Sequence, residues 1–469
     1  MHFNKYKNAK HIYWGQNLRW RYGKLKYNVK KYFSLLLVSL LIMMSIITQP
    51  LSAQAAESLD LNAESAILVD GETGKVLYAK NADQALPPAS MTKMMTEYLV
   101  LEAINNGDIS WDTTTQISDY PFSISANPLF SGIGLTQNKD YTVRELYEAM
   151  AVFSDNATTI ALAELIAGSE TEFVKLMNQK AEEMGLPEYK FVNSSGLDNE
   201  SLGDNRPEGT EPNGSNLLSA KSAALLAYHL VNDFEEALEI SSKTKVEFEG
   251  YTVENLNWML PHEATFLKAF HYEGMDGLKT GNTELAGYTF TGTAKRDGKR
   301  LISVVMKTSS KEERFQETKK LLDYGFNQFE NQELFSAGYQ VEGESAIPVA
   351  KGKEDTVDVS IKEGISIPVK PEDAEAYSIK YNIDKDKLNA DGKLTAPIEK
   401  GEKIGTAELV FDGETNYGYI FSDSNKTVDL VADDAVEKSN WFMLTLQSIG
   451  DFFANLFTTA VDWVKGLFS

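Results

Sequence analysis

The stretch that decides the fold is Pro87-Pro88-Ala89-Ser90-Met91-Thr92-Lys93, where an apolar, helix-like run begins that continues to Ile104. The spacing of three residues places the side chains of Ser90 and Lys93 on one face of the predicted helix, one turn apart. An amine can therefore reach a hydroxyl. Ser90 is also predicted to lie at the helix start, where free backbone N–H groups and the helix dipole stabilise negative charge.

This pair has the residue types of a serine nucleophile and its base. A serine hydroxyl is a poor nucleophile until a base removes its proton, and a lysine serves as that base only when burial or nearby cations lower its pKa. Ser-x-x-Lys alone is weak evidence, because a helix-capping serine and a surface lysine give the same pattern.

Two further motifs strengthen the prediction. Ser154-Asp155-Asn156 lies between the helical runs 143–153 and 157–166, a junction that can aim short polar side chains into a cleft, although alone it also fits a helix cap. Lys279-Thr280-Gly281 precedes the strand-like run 288–294 and is predicted at or near a sheet edge. Glycine there permits close approach by a peptide substrate.

The order of elements predicts an α+β fold. Strand-like runs at 65–69 and 76–79 open the segment, runs at 288–294 and 301–307 close it, and helical patterns fill the middle. This order favours one antiparallel sheet flanked by helices, in a domain predicted to span 56–335. From 336 to 435 short alternating segments predict a small all-β domain. The segments at 357–361, 365–369, 403–411 and 417–421 carry this pattern.

The N-terminus has the pattern of an export signal. The first 31 residues carry nine Lys and Arg and no acidic residue, and an apolar run from Phe33 to Thr48 and the small-residue site Ala53-Gln54-Ala55 follow. We predict a signal peptide over 1–55, with a retained N-terminal anchor as the alternative. The chain would then work on the outer face of the cytoplasmic membrane. The absence of cysteine fits a Gram-positive envelope.

Composition excludes several classes of function. The chain has 68 Asp and Glu against 45 Lys and Arg, which argues against a nucleic-acid partner. Without cysteine there is no thiol nucleophile. A zinc carboxypeptidase is disfavoured, because His262-Glu263 continues as Ala264-Thr265-Phe266 without a second histidine at helical spacing. No metal or cofactor is expected, since the candidate nucleophile and base both belong to the chain. His262 and His271 are interpreted as surface or packing residues.

The C-terminal segment 436–469 is predicted to be an amphipathic helix that lies on the membrane. Apolar residues recur at spacings of three to five, namely Phe442, Leu446, Ile449, Phe453, Leu456, Val461, Val464 and Phe468. Polar residues take the opposite face. The alternative is a helix docked on the protein itself.

Together, the three motifs resemble those of the D-alanyl-D-alanine carboxypeptidases among the low-molecular-mass penicillin-binding proteins, serine peptidases of the penicillin-binding and β-lactamase-like superfamily. The resemblance covers about 58–435 and includes Asp70 to Leu77 and Phe191 to Leu197. It implies a β-lactamase/transpeptidase-like domain, removal of the terminal D-alanine from peptidoglycan stem pentapeptides, and covalent inhibition by β-lactam antibiotics.

The resemblance also assigns roles to the residues of the first two motifs. It implies that Ser90 is the acylated nucleophile and Lys93 its base. Ser154 would relay a proton to the leaving amine, and Asn156 would hold the substrate amide.

The third motif is expected to bind the substrate. By the same resemblance, Lys279 supplies positive charge and Thr280 receives the terminal carboxylate. Asn282, which follows Gly281, would share the oxyanion with the backbone N–H of the nucleophile. Arg314 is the matching position for a carboxylate-binding arginine, with a helix-surface arginine as the plain alternative.

Other activities remain open at this point. Many carboxypeptidases of this family have Gly and Asp where this chain has Asp155 and Ala157, which leaves transpeptidase or endopeptidase activity as an alternative. A class A β-lactamase is less favoured, because residues 185–205 lack a Glu-x-x-Leu-Asn pattern: neither Glu188 nor Glu200 is followed by it. A non-catalytic wall-binding module is a third reading, against which the complete set of motif residues argues.

Overall fold

The computed structural model of the chain describes residues 59–421 and 426–440. The predicted signal peptide, 1–55, lies outside these residues, and so does the predicted C-terminal helix 436–469 except for 436–440. Those five residues are not helical, and Val436 forms an isolated antiparallel bridge with Ile398. The α-helices described are α1 Lys93–Asn105, α2 Asp119–Ser125, α3 Val143–Glu148, α4 Asn156–Ala167, α5 Glu170–Glu183, α6 Asn199–Leu202, α7 Ala220–Asp233, α8 Glu236–Ser241 and α9 Lys311–Gln328. Short helical turns are found at Ala89–Thr92, Ala149–Phe153, Gly203–Asn205, Leu267–Ala269, Pro371–Ala376 and Lys385–Lys387.

The strands belong to two main sheets and several short pairs. They are β1 Ser65–Asp70, β2 Val76–Lys80, β3 Thr114–Gln116, β4 Asp140–Thr142, β5 Tyr189–Lys190, β6 Leu217–Leu218, β7 Lys245–Phe248, β8 Tyr251–Glu254, β9 Met275–Thr283, β10 Gly287–Arg296, β11 Lys299–Thr308, β12 Glu330–Phe335, β13 Ala346–Ala350, β14 Thr356–Ile361, β15 Ile365–Val369, β16 Tyr377–Ile383, β17 Leu394–Thr395, β18 Lys403–Phe411 and β19 Thr427–Ala432.

The predicted antiparallel sheet flanked by helices is confirmed. Five strands lie in the order β2-β1-β11-β10-β9, and every neighbouring pair is antiparallel. Strands from the two ends of the domain meet at the centre, where Ser65 lies opposite Met306. Strand β9 ends the sheet, so one of its edges is free to face a cleft.

Both faces of this sheet are covered, which explains its continuous apolar strands. Side chains alternate between the faces of a strand. In β1, Ile67 and Val69 pack into the large core shared with the helical half of the domain. Ala66 and Leu68 pack into a second core on the opposite face, which includes Leu321 of α9. The sheet therefore lies between α9 on one face and the other helices of the domain on the opposite face, which gives a three-layer domain.

A second, smaller domain follows α9, as predicted. Its six-stranded sheet has the order β16-β18-β19-β14-β13-β17, and β12 pairs with β15 beside it. It has a core of its own, rich in Val, Ile and Leu. Within the part of the chain that the structure describes, no helix has both the length and the apolar character needed to cross a membrane.

The predicted strand 417–421 is not a regular strand in the structure: it forms one isolated antiparallel bridge, between Tyr419 and Lys75. Two hydrogen bonds flank this bridge: the backbone N–H of Val76 donates to Gly418 O at 2.9 Å, and that of Ile420 donates to Gly74 O at 2.9 Å. Period-2 patterning indicates an extended segment but does not identify its partner. The segment therefore contacts the start of β2, at the edge of the larger sheet, and ties the two domains together there.

Candidate active site

The nucleophile candidate stands on a strained turn. Residues 89–92 form a 3₁₀ turn before α1, and Ala89 has a φ of +48°, a value that non-glycine residues seldom adopt. Lys93 opens α1, and its Nζ lies 3.0 Å from Ser90 Oγ. The contact predicted from the three-residue spacing is therefore present. The turn is tighter than the α-helix start that the sequence suggested.

Lys93 is fully buried and has two further acceptors. Its Nζ lies 2.8 Å from Asn156 Oδ1 and 2.7 Å from the backbone oxygen of Ser195. The first two motifs therefore meet at one nitrogen. Burial, and then the positive charge of Lys279, hold the pKa of Lys93 well below its usual range. A neutral amine, the form that can accept a proton, is thus favoured.

The second motif joins two helices through an unusual backbone turn. Ser154 ends the π-helical turn 149–153 with a left-handed φ of +65°, and its buried Oγ has no hydrogen-bond partner within the described residues. Asp155 caps α4 by accepting from the N–H of Thr158 at 2.7 Å, and it also accepts from the N–H of Ile133 at 2.7 Å. The aspartate that departs from the family pattern thus fastens the loop around Ile133 to the motif.

The third motif lies on the free edge of β9. Lys279 and Thr280 are both buried, and the contact of Lys279 Nζ with Thr280 O is long, at 3.5 Å. A Cβ placed on Gly281 would lie 2.6 Å from Pro88 O and 3.1 Å from Ser90 N. Only glycine permits this approach, and it brings the third motif against the nucleophile.

A second glycine packs against the same turn. Gly196 has a φ of +86°, and a Cβ there would lie 2.0 Å from Ala89 O. Gly196 and Gly281 therefore both contact the turn that carries Ser90. The sequence-based interpretation found Gly281 by its motif but missed the part played by Gly196.

Arg314 is buried rather than exposed on its helix. It is only 4% exposed, and its Nη1 donates to Gly281 O at 3.1 Å and to Thr289 O at 3.4 Å. The Nε atom has no partner within the described residues. Burial lowers the pKa of Arg314 to about 10. Asn282 is exposed at the end of β9, and its side chain donates to Gly287 O at 3.0 Å.

Two buried groups beneath the site were not anticipated. Glu97 lies one turn after Lys93, and neither its Oε1 nor the Tyr147 hydroxyl has a hydrogen-bond partner among the described residues. Burial raises the pKa of Glu97, while the charges of Lys279 and Lys93 oppose this rise. The carboxyl group of Glu97 is thus close enough to Lys93 and Lys279 to interact with both of their charges.

The predicted histidine roles are also settled in part. His262 is buried, and its Nε2 lies 2.8 Å from Asn257 O, so it is a packing residue. His271 lies on the surface. No group of three or more His, Asp or Glu side chains in the described ranges could hold a metal ion.

Family models match nearly all of the described chain. The model for D-alanyl-D-alanine carboxypeptidases, peptidase family S11, matches residues 52–310. The model for the C-terminal domain of penicillin-binding protein 5 matches residues 329–438.

Individual relatives and solved structures agree with these matches. The chain is 33% identical over 394 residues to the D-alanyl-D-alanine carboxypeptidase DacF of Bacillus subtilis, a match that covers 83% of this chain and 90% of DacF. A peptidoglycan synthesis regulatory factor, PBP3, from Streptococcus pneumoniae superposes with a TM-score of 0.64 at 35% identity, covering 80% of this chain and 99% of that one. Penicillin-binding protein 5 from Haemophilus influenzae gives 0.63 at 29% identity, covering 81% and 98%.

Proposed function

Because the chain belongs to the D-alanyl-D-alanine carboxypeptidase family, we propose that it is a serine D-Ala-D-Ala carboxypeptidase in which Ser90 is acylated and Lys93 is the activating base. The observation that carries this assignment is the 3.0 Å contact between Lys93 Nζ and Ser90 Oγ. The lysine is fully buried, and this burial lowers its pKa, which is the condition for it to accept a proton.

The substrate is a peptidoglycan stem peptide that ends in D-Ala-D-Ala. Ser90 Oγ attacks the carbonyl carbon of the penultimate residue while its proton passes to Lys93. The oxyanion accepts hydrogen bonds from the backbone N–H groups of Ser90 and Asn282. Ser154, whose hydroxyl has no hydrogen-bond partner within the described residues, then relays the proton from Lys93 to the departing amine, and the C–N bond breaks to release D-alanine.

Water completes the cycle. It attacks the acyl-enzyme ester and gives a proton to Lys93. The ester C–O bond then breaks, Lys93 returns the proton to Ser90 Oγ, and the shortened peptide leaves with a free carboxyl group. β-Lactams acylate the same serine and are expected to remain bound, because no Glu-x-x-Leu-Asn pattern lies in residues 185–205 to activate water. The nucleophile, the base and the oxyanion donors in this scheme all come from the chain.

Positive charge selects the free carboxylate of the substrate. Lys279 is buried on the edge strand that carries Thr280, and Arg314 is buried against the same strand, where it donates to Gly281 O. Burying a cation costs desolvation free energy, and the attraction of a bound anion can offset this cost. The terminal carboxylate of the peptide would therefore accept from the Thr280 hydroxyl within reach of both charges, while Asn156 holds the substrate amide.

Export and membrane attachment complete the proposal. The basic and apolar N-terminus supports export, and the amphipathic segment after Asn440 supports attachment to the outer face of the cytoplasmic membrane. Such a position would place the enzyme beside newly made cell wall.

Labelling with a fluorescent penicillin and a D-alanine release assay on a diacetylated pentapeptide analogue test the function. We expect the purified protein to be labelled and to release D-alanine, and Ser90→Ala to lose both properties. Ser110→Ala, at an exposed serine, is the control and should behave as the wild type. D-alanine release that survives in Ser90→Ala contradicts the mechanism, and transfer of the peptide to an added amine in preference to water identifies a transpeptidase instead.

A further inference from the structure

The backbone oxygen of Ser195 is an acceptor for the lysine base, yet it belongs to a segment without regular secondary structure. Lys93 Nζ lies 2.7 Å from this oxygen. Residues 191–198 lie in neither helix nor strand, so no ladder of hydrogen bonds fixes the direction of the carbonyl. Something else must hold it, because a misplaced acceptor would move the amine away from Ser90.

The neighbouring residue, Ser194, is held at three atoms. Its backbone N–H donates to Glu170 Oε1 at 2.8 Å, and its hydroxyl donates to the same oxygen at 2.5 Å. Its backbone oxygen accepts from the Thr96 hydroxyl at 2.9 Å. Thr96 lies on α1, the helix that begins at Lys93, so the segment is fastened both to that helix and to Glu170.

Glu170 is itself rigidly placed. It is the first residue of α5 and is only 4% exposed. Its other oxygen, Oε2, accepts from the Tyr120 hydroxyl at 2.9 Å. Three uncharged donors thus converge on a buried carboxylate. Burial raises the pKa of Glu170, whereas the bonds from Ser194 and Tyr120 oppose that rise and favour the charged form.

A carboxylate suits this position for a geometric reason. Its two oxygens only accept, so one of them takes both donors of Ser194 and the other takes the Tyr120 hydroxyl. An amide side chain would turn an NH₂ group towards one of those donors. Burying a carboxylate is costly when a neutral side chain would fill the same space, which indicates that its acceptor capacity is used.

We propose that Glu170 is a positioning residue for the reaction: through Ser194 it fixes the Ser195 carbonyl, and that carbonyl holds the amine of Lys93 against Ser90. The inference rests on the proposed role of Lys93 as base. Glu170 does not contact the substrate in this scheme. Ser194 and Ser195 lie between it and Lys93, and it acts by keeping this irregular segment in one conformation.

The charge of Glu170 adds an electrostatic effect with a definite sign. The acidic groups that act on Lys93 are Asp155, Glu97 and Glu170, and each raises its pKa, whereas Lys279 lowers it. The groups that face Glu170 itself are Ser194 and Tyr120, with Glu164 acting through its charge. Removing the charge of Glu170 should therefore lower the pKa of Lys93 and extend its neutral form to lower pH.

The test is the rate of acylation by a fluorescent penicillin as a function of pH, with thermal unfolding measured in parallel. Glu170→Gln should slow acylation about tenfold to a hundredfold at neutral pH, through misplacement of the amine. The acid limb of its profile should move to lower pH. Glu172→Gln, on the same turn of α5 but exposed and paired with Lys175, should match the wild type in both respects.

Ser194→Ala tests the connection without removing the carboxylate. It loses the hydroxyl bond alone, so it should slow acylation while leaving the acid limb near that of the wild type. An unchanged rate and profile in Glu170→Gln overturns the inference, and so does a loss of thermal stability with no change in the pH profile. Lys93→Ala separates the two proposals: if it still acylates, the assignment of the base fails, and if it is inactive while Glu170→Gln is normal, only the positioning role fails.

Discussion

Nζ of Lys93 and Oδ1 of Asn156 lie 2.8 Å apart, so the helix that follows the nucleophile and the helix that follows the second motif share a buried hydrogen bond. The amide is fixed from its other end, because Asn156 Nδ2 donates to Ser131 O at 3.2 Å. Its oxygen is therefore turned towards the lysine by the structure around it.

The first prediction removes this acceptor. Asn156→Ala should slow acylation by a fluorescent penicillin about a hundredfold, because the amine loses an acceptor that orients it and the substrate amide loses its partner. Single-turnover labelling measures the rate. Asn106→Ala, at an exposed asparagine just after α1, should label normally, and equal labelling by the two variants would exclude a role for Asn156.

The second prediction concerns the glycine that packs under the nucleophile turn. Gly196→Ala should lower both stability and the rate of labelling, because its new methyl group would overlap Ala89 O and displace Ser90. Gly107→Ala is the matched control. Gly107 has a φ of +79°, close to the +86° of Gly196, but has no neighbouring atom within 4 Å of its added Cβ.

The difference between these two variants isolates the steric effect. Backbone strain alone costs about 1–3 kcal/mol, and both variants bear it. Chemical denaturation should therefore show a larger loss of unfolding free energy for Gly196→Ala. Only this variant should lose acylation at temperatures where both remain folded. Normal labelling by folded Gly196→Ala would show that the turn tolerates the displacement.

The sequence predicted those parts of the site that depend on local spacing. Ser90 and Lys93 are one helical turn apart in any helix, so their contact followed from the sequence. The position of Lys279 at or near a sheet edge followed from its place just before the strand-like run 288–294, although the strand that carries it, β9, was not predicted. The presence of three motifs in this order also supported the hypothesis that these distant segments form one active site.

Contacts that depend on tertiary packing could not be read in this way. The carbonyl of Ser195 carries no side-chain signal, and the left-handed conformation of Ala89 is imposed by its neighbours. Glu97 lies on a helix that is buried on nearly every side, so there is no polar face to show that a carboxylate there is unusual. The segment 417–421 has the period of a strand, but it forms only an isolated bridge, and that bridge is to the larger domain.

The third prediction uses the buried carboxyl of Glu97. Its negative charge raises the pKa of Lys93, so Glu97→Gln should lower that pKa and increase the neutral fraction of the base. Because the pKa of Glu97 is itself raised to about 7, the charge is present mainly above that pH. We therefore expect faster acylation than in the wild type on the alkaline side of pH 7.

The shape of the pH profile checks this prediction. The wild-type and Glu97→Gln profiles should converge below about pH 7, where the carboxyl is already neutral. Glu102→Gln, on the same helix but paired with Lys180 at 2.7 Å, should follow the wild type throughout. Identical profiles for all three proteins would show that Glu97 does not act on the base.

The fourth prediction separates two functions of Arg314. Its guanidinium braces Gly281 O and is also proposed to attract the terminal carboxylate. Arg314→Ala should raise KM for a peptide with a free carboxylate at least tenfold more than for the matching amide, since only the acid interacts with the charge. Arg314→Lys keeps a positive charge but loses the planar guanidinium with its paired N–H donors, so its increase in KM for the acid should be intermediate.

The ratio of the two KM effects is the decisive quantity in this experiment. A role limited to bracing Gly281 would disturb the binding of acid and amide alike. Equal increases in KM for the two peptides would therefore leave Arg314 as a structural residue and remove it from carboxylate recognition.

The fifth prediction concerns the segment beyond Asn440. Its apolar face should bind a membrane surface through burial of side chains such as Phe453 and Leu456. A chain ending at Asn440 should fractionate with soluble proteins and release D-alanine from a soluble peptide at the full rate. Leu456→Glu and Asn455→Glu form a matched pair, because they add the same charge to adjacent positions that the sequence pattern assigns to the apolar and the polar face of the predicted helix. Vesicle flotation should show loss of binding for Leu456→Glu alone, and equal loss in both would indicate charge repulsion rather than burial of an apolar face.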